Sequence, residues 1–145
     1  MSSVNIARWV KKNASLAKEP VLEIGALRVD EFVDIRSALP HLKDFTGCDL
    51  QAGENVDVVV DMTSDFSEIE QRLEKRRFHT IYCLSVLEHI PDVFMACRNI
   101  DRLLMAGGIL FLSVPFVFRF HAYPGDYWRF TPEAVLTLFP HLNFQ

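Results

Sequence analysis

Hydrophobic residues along this chain follow two rhythms, and the alternation between them predicts the fold. Near the start, Ile6, Trp9, Val10, Asn13 and Ala17 recur at helical spacing, so an amphipathic helix with one mostly apolar face is expected before Pro20. Short apolar or β-branched runs follow: Val21 to Ile24, Thr46 to Leu50, Val56 to Met62, Phe78 to Leu84 and Ile109 to Val114. Each reads as a strand. The last is apolar throughout, as a strand buried on both faces is.

Helical patterns fall between these runs. Val29, Phe32, Val33 and Leu39 suggest a short helix stopped near Pro40. Phe66, Ile69 and Leu73 make the inner face of a second, which Asp65 and Glu68 would open as a capping box. Val93, Ala96, Cys97, Ile100 and Leu104 stripe a third, with Pro91 at its first position and Gly107-Gly108 stopping it. Thr131, before Pro132 and Glu133, caps a last helix. Strands alternating with helices predict an α/β fold: a Rossmann-like, doubly wound, mainly parallel sheet of about five strands. One domain over 1–145 is expected, with an N-terminal helix over 1–19, a ligand-binding core over 20–116, and a loop and final helix over 117–145.

Composition narrows the partners. Half the residues are hydrophobic and 23% are charged, enough for a packed core. The net charge of −4 argues against a phosphate-binding surface, so no nucleic acid is expected. The basic run Lys75-Arg76-Arg77 follows a helix and suits its negative end. Three cysteines without a C-x-x-C spacing point away from disulfides and zinc; no metal is expected, and the compartment expected is the cytoplasm. Cys83 and Cys97 read as core residues and His79 as a surface one. No stretch approaches the ~18 apolar residues of a membrane span. Arg8, Lys11 and Lys12 precede no long apolar run, so no signal peptide is read.

In an open α/β sheet, ligands bind beyond the carboxyl ends of the strands. Here those ends carry Glu23-Ile24-Gly25-Ala26, Asp49, Asp61-Met62, Leu84-Ser85 and Val114-Pro115. A carboxylate after the second strand can accept from both ribose hydroxyls, and one after the third from an adenine amino group. Gly25 lets backbone approach a ligand with no Cβ between. Glu23 favours a cationic amino-acid group and disfavours a pyrophosphate. The G-x-G-x-x-G pattern is missing, since Leu27 and Arg28 stand where further glycines are needed, which counts against a nicotinamide-dependent oxidoreductase. Asp49 or Asp61 alone reads equally well as a turn or cap residue; their joint placement with Glu23 and Gly25 is what points to a ligand.

These segments resemble a known family. Val21-Leu22-Glu23-Ile24-Gly25-Ala26 looks like motif I of class I methyltransferases. Ser85-Val86-Leu87-Glu88-His89-Ile90 resembles the segment after strand four in the methyltransferase type 11 group. Leu103-Leu104-Met105-Ala106-Gly107-Gly108 and the run to Pro115 are similar to that group's double-glycine turn and fifth strand. The segment from His121 to Pro132 resembles one common in methyltransferases of glycan gene clusters.

The resemblance implies S-adenosyl-L-methionine as cofactor. Glu23, Gly25 and Ala26 would line its methionine portion, and Asp49 would hold the ribose with Leu50 packed on the adenine. Asp61 and Met62 would flank the adenine, and Leu84 and Ser85 would close the floor. Glu88 and His89 would fix the turn into the next helix. Leu27 departs from the family's second glycine and adds bulk at the cofactor's tail; Met105-Ala106 replaces the usual Lys-Pro. The family's sixth and antiparallel seventh strands find no room after Leu142. That exposes a sheet edge, which a second copy or a partner chain would cover.

The reaction implied is in-line methyl transfer to a small-molecule or glycan-type acceptor. His121, beyond the fifth strand, is the candidate base, and Tyr123, Asp126, Tyr127 and Arg129 share its loop and would face the acceptor. The plainer alternative is that Tyr127, Trp128 and Phe130 only pack this loop on the core. A second functional reading is a catalytically weak binding module that acts through a partner.

Overall fold

In the computed structural model, residues 3–28, 34–122 and 124–145 are described. Val29, Phe32, Val33 and Tyr123 lie outside them. The elements are α1 (Ser3–Lys12), β1 (Val21–Ile24), α2 (Ile35–Ala38), β2 (Phe45–Asp49), β3 (Val58–Val59), α3 (Phe66–Arg72), β4 (Phe78–Leu84), α4 (Val93–Leu103), β5 (Leu104–Ser113) and α5 (Pro132–Leu138). Single 3₁₀ turns span Ala14–Leu16 and Leu87–His89.

The five strands form one sheet in the order β3-β2-β1-β4-β5, and every pairing is parallel. From β1 the chain first winds outward through β2 and β3, then returns to the other side of β1 for β4. The strand order therefore reverses between β1 and β4, and a crevice opens above their carboxyl ends.

Period-two alternation sorts the side chains onto two faces. Leu22 and Ile24 of β1 join Ile81 and Cys83 of β4 against Ile69 of α3, Ile100 of α4 and Leu138 of α5. Val21 and Tyr82 point the other way, to Ile6 and Val10 of α1 and Ile35 of α2. There Tyr82 stacks on Phe111 of β5, centroids 4.7 Å apart. Because β1 and β4 are covered on both faces, nearly every residue of both is buried, and each is mainly apolar, with Glu23 in β1 and His79 and Thr80 in β4 as the polar exceptions.

Several boundaries differ from expectation. The run 56–62 yields only a two-residue strand. Asp57 is turned aside, its carboxylate taking the Gly47 N–H at 2.7 Å and pairing with Arg36, and Asp61 closes a turn. At α3, Asp65 occupies the cap position but its side chain makes no cap bond; the first turn is closed by the backbone, from Glu68 N–H to the Asp65 carbonyl at 2.9 Å. Pro91 is not the first residue of α4 but lies two residues before it, and Asp92 caps the helix, accepting from Met95 N–H at 3.0 Å. That helix ends at Leu103, and Gly107-Gly108 lie within β5, where the ladder to β4 slips between Phe78 and Thr80.

β5 is not buried on both faces. It is the edge of the sheet and only Phe111 in it is buried. His79 lies inside β4, half-buried. Rather than merely ending α3, the basic run ties it to its neighbours: Arg76 reaches Thr46 Oγ1 at 2.9 Å and Asp44, and Arg77 pairs with Glu70 at 2.6 Å. Thr131 caps α5 as expected, accepting from Ala134 N–H at 3.1 Å.

Candidate functional site

A cleft of about 390 Å³ opens where the strand order reverses. The nine residues that the resemblance assigns to a cofactor line it: Glu23, Gly25, Ala26, Asp49, Leu50, Asp61, Met62, Leu84 and Ser85; Val114 and Pro115, after β5, are not among the described residues that do. The sheet brings them together because parallel strands end at one level.

Gly25 makes the corner after β1. Its φ is +76°, and a Cβ there would sit 2.4 Å from Val86 Cγ2. Hydrogen and positive φ are both required, which only glycine supplies without strain. The N–H groups of Gly25 and Ala26 both donate to the Cys48 carbonyl, at 2.9 and 3.0 Å, pinning the corner to β2. Ser85, at the end of β4, also has positive φ, +57°, and donates its N–H to the Ser113 carbonyl at 2.8 Å.

Each acid holds its position differently. Asp49 accepts one backbone N–H on each oxygen, from Leu27 and from Gln51, both at 3.1 Å. Its orientation is set and lone pairs remain for a ligand's hydroxyls. Asp61 accepts the N–H and the hydroxyl of Thr63 on one oxygen, both at 2.7 Å. It is thus a turn residue and a cleft residue at once. Asn99, buried on α4, secures the same loop by donating to the carbonyls of Met62 and Ser64.

Glu23 is the unusual one: it is buried and makes no hydrogen bond or ion pair among the described residues. Burial, helped by the like charge of Asp34 and opposed by Arg36, pushes its carboxyl up to about 8. A buried carboxylate without a cation is costly, so this position suits a ligand that brings one.

Leu27 lines the cleft. It is not among the positive-φ residues, and its side chain packs over Gly53, where an added Cβ would meet Leu27 Cδ1 at 2.3 Å.

At the other end stand His89, His121 and Pro124. Asp126, Tyr127 and Arg129 are not among the described residues that line the cleft. Tyr127 is exposed, and its N–H donates to the Glu88 carbonyl at 2.8 Å. Trp128 donates its indole N–H to the Ile90 carbonyl at 2.8 Å, so part of the loop does pack on the core. Asp126 is fully covered and binds Arg129 through both terminal nitrogens. The two serve the loop rather than the cleft.

Sequence reasoning missed the cleft contributions of Ile6 from α1, of Tyr82 and of Thr63. Asp61-x-Thr63 was a legible turn signal; nothing local marked Ile6, which reaches the cleft only because α1 folds back over the sheet.

Comparisons with known proteins agree with this geometry. A family profile described as "Methyltransferase domain" matches residues 4–144. The chain belongs to the class I methyltransferases, whose methyl donor is S-adenosylmethionine. It is similar to the ubiquinone biosynthesis O-methyltransferase of Pseudomonas aeruginosa (strain PAO1), 31% identical over 111 residues, which are 72% of this chain and 48% of that protein. The chain thus spans about half the length of the curated relatives it matches.

Among solved structures, the fold resembles the N-methyltransferase NodS from Bradyrhizobium japonicum WM9 in complex with S-adenosyl-L-homocysteine (TM-score 0.54, 20% identity, 74% of this chain and 59% of that one). It also resembles the N-terminal domain of EvdMO1 with the same product bound (TM-score 0.56, 18% identity, 97% and 70%). The residues of this methyltransferase domain fit such a cofactor: a corner where any Cβ would clash, an uncompensated buried acid beside it, and an oriented carboxylate on the next strand.

Proposed function

We propose that this methyltransferase domain transfers a methyl group from S-adenosylmethionine to a small-molecule or glycan-type acceptor. The observation that carries the reading is the convergence of Glu23, Asp49 and Asp61 on one cleft beside Gly25, with two imidazoles at its far end. Glu23 pairs with the cofactor's ammonium group. Asp49 takes the ribose hydroxyls on its free lone pairs. Asp61, Leu50 and Met62 enclose the adenine, and Leu84 and Ser85 floor the site.

When bound, the cofactor supplies an electrophilic methyl on a sulfonium. The protein's part is then to hold the acceptor in line and exclude water, and to remove the acceptor's proton where the nucleophile needs it. His121 is the group for that proton. It lines the cleft with its side chain 26% exposed, enough to meet an acceptor while the rest of the ring is packed. Names of similar proteins include both O- and N-methyltransferases, and an imidazole base serves either a hydroxyl or an ammonium acceptor.

Calorimetric titration of the folded protein tests the reading. S-adenosylmethionine and its demethylated product are expected to bind one to one, and NAD not at all. A well-folded protein that binds neither of the first two would remove the basis for it.

A further inference from the structure

Around His121 the loop after β5 is built like a tautomer lock. The ring Nδ1 lies 3.1 Å from the Arg119 carbonyl oxygen and 3.2 Å from Asp126 Oδ2. Both neighbours only accept, so Nδ1 must carry the proton. In the neutral ring the lone pair is then on Nε2.

Asp126 is itself tightly held. Its side chain is fully covered, it accepts the His121 backbone N–H at 2.8 Å, and Arg129 grips both its oxygens. The Arg129 guanidinium, more than any other neighbour, holds this carboxyl well below the usual carboxylate range. Asp126 therefore stays ionised and remains an acceptor toward His121.

The packing on the other side agrees. His89 meets His121 edge to face at 4.9 Å, and Phe118 does the same at 4.9 Å. His89 directs its Nδ1 at the Gly125 carbonyl, so its lone pair is also on Nε2. Glu88, almost fully buried, has Oε2 without a partner. One donor atom each of Glu88, His89 and His121 lie within 4.8 Å of one another. The titratable and charged groups facing His121 are thus Glu88, His89, Asp126 and Arg129.

We propose that Asp126, clamped by Arg129, is a positioning residue that fixes His121 as the Nδ1–H tautomer, leaving Nε2 free to take the acceptor's proton. This rests on the reading of His121 as base. The step balances: the bond from acceptor to methyl forms as the sulfur–methyl bond breaks, and sulfur keeps the electron pair. The acceptor's proton moves to Nε2. The resulting imidazolium is balanced by the ionised Asp126. The arrangement explains why Asp126 and Arg129 are spent on each other instead of facing the cleft.

The test needs no acceptor. In ¹⁵N-labelled full chain, nitrogen chemical shifts of His121 report which ring nitrogen is protonated, with and without S-adenosylhomocysteine. Wild type is expected to show protonated Nδ1 and bare Nε2. In Asp126→Asn, Arg129 claims the amide oxygen, so the amide NH₂ faces Nδ1. The amide NH₂ then opposes a proton on Nδ1 while the Arg119 carbonyl alone still favours it, so the Nε2–H tautomer should gain population and move both ring nitrogen resonances. A purely structural Asp126 would leave the tautomer unchanged.

Protonated Nε2 in wild type, an unaltered ring in the variant, or a stoichiometric divalent cation on Nε2 would each overturn the proposal. If that variant fails to fold, Arg129→Lys, which loosens the two-point grip on Asp126, takes its place in the same measurement. Failure of the methyltransferase reading shows separately, as absence of any shift on adding S-adenosylhomocysteine.

Discussion

Gly25→Ala is the sharpest perturbation of the corner, because Gly107 provides a matched control. Both glycines have nearly the same positive φ, +76° and +74°. An alanine at either pays for the left-handed backbone, about 1–2 kcal/mol. At Gly107 nothing lies within 4 Å of the new Cβ, so strain is the whole cost. At Gly25 the new Cβ meets Val86 Cγ2 at 2.4 Å, with Val86 Cβ and Cγ1 both at 3.7 Å. Valine is stiff at χ1, so relief requires backbone movement, and overpacking of this kind adds about 1–3 kcal/mol.

At about 4 °C per kcal/mol for a chain of this size, Gly107→Ala should lower Tm by about 4–8 °C and Gly25→Ala by about 8–20 °C. Thermal melts followed by circular dichroism measure both. Val86→Ala in the Gly25→Ala background should return the steric part and leave the strain, which a double-mutant cycle isolates. Calorimetry should show S-adenosylhomocysteine binding weakened in Gly25→Ala and unchanged in Gly107→Ala. Equal losses of Tm in the two single variants would refute the steric argument. Undiminished binding in Gly25→Ala would refute the placement of the cofactor at this corner.

Four further outcomes are expected. Asp49→Ala removes an ionised acceptor from the cleft and should raise the Kd for S-adenosylhomocysteine about 10- to 100-fold by calorimetry. Glu23, at about 8 when folded against 4.5 for a free glutamate side chain, keeps a proton that the unfolded chain has lost between those pH values. Stability should therefore decline as pH rises across that window, and Glu23→Gln should flatten the decline in denaturant titrations. In the same window, pairing with the cofactor's ammonium requires Glu23 to release its proton, so S-adenosylhomocysteine affinity should rise with pH toward about 8, by up to about tenfold per unit. A slope that persists in Glu23→Gln would assign it to another group. Thr131→Ala removes the cap of α5 and should cost about 1 kcal/mol, read as a fall in Tm with product affinity unchanged.

How much of this was legible beforehand differs by element. β1 and β4 were read to the residue, because central parallel strands are buried on both faces and stay mainly apolar despite Glu23, His79 and Thr80. β5 looked the same in sequence yet is a half-exposed edge: an apolar run says that a segment prefers burial, not how many neighbours it finds. β3 shrank from seven expected residues to two because Asp57 and Asp61 found local partners, and side chain–backbone bonds of that kind compete with a ladder. At α3 the side-chain bonds of the capping box were not made, since a backbone carbonyl closes the first turn as well as a carboxylate can.

By itself the sequence determined the order of strands and helices, the acids at the strand ends and the family to which they belong. These are properties of local pattern, and a parallel α/β sheet converts pattern into position because all its strands end together. Only the tertiary structure decided what each of those groups does there. Glu23 is uncompensated because its cation neighbours are engaged elsewhere or distant. Asp126 braces His121, since Arg129, three residues on, folds back to it. Leu27 packs over Gly53, distant in sequence. Partnership between polar groups depends on distances of a few ångströms across the fold, and residue spacing along a chain carries no such distances.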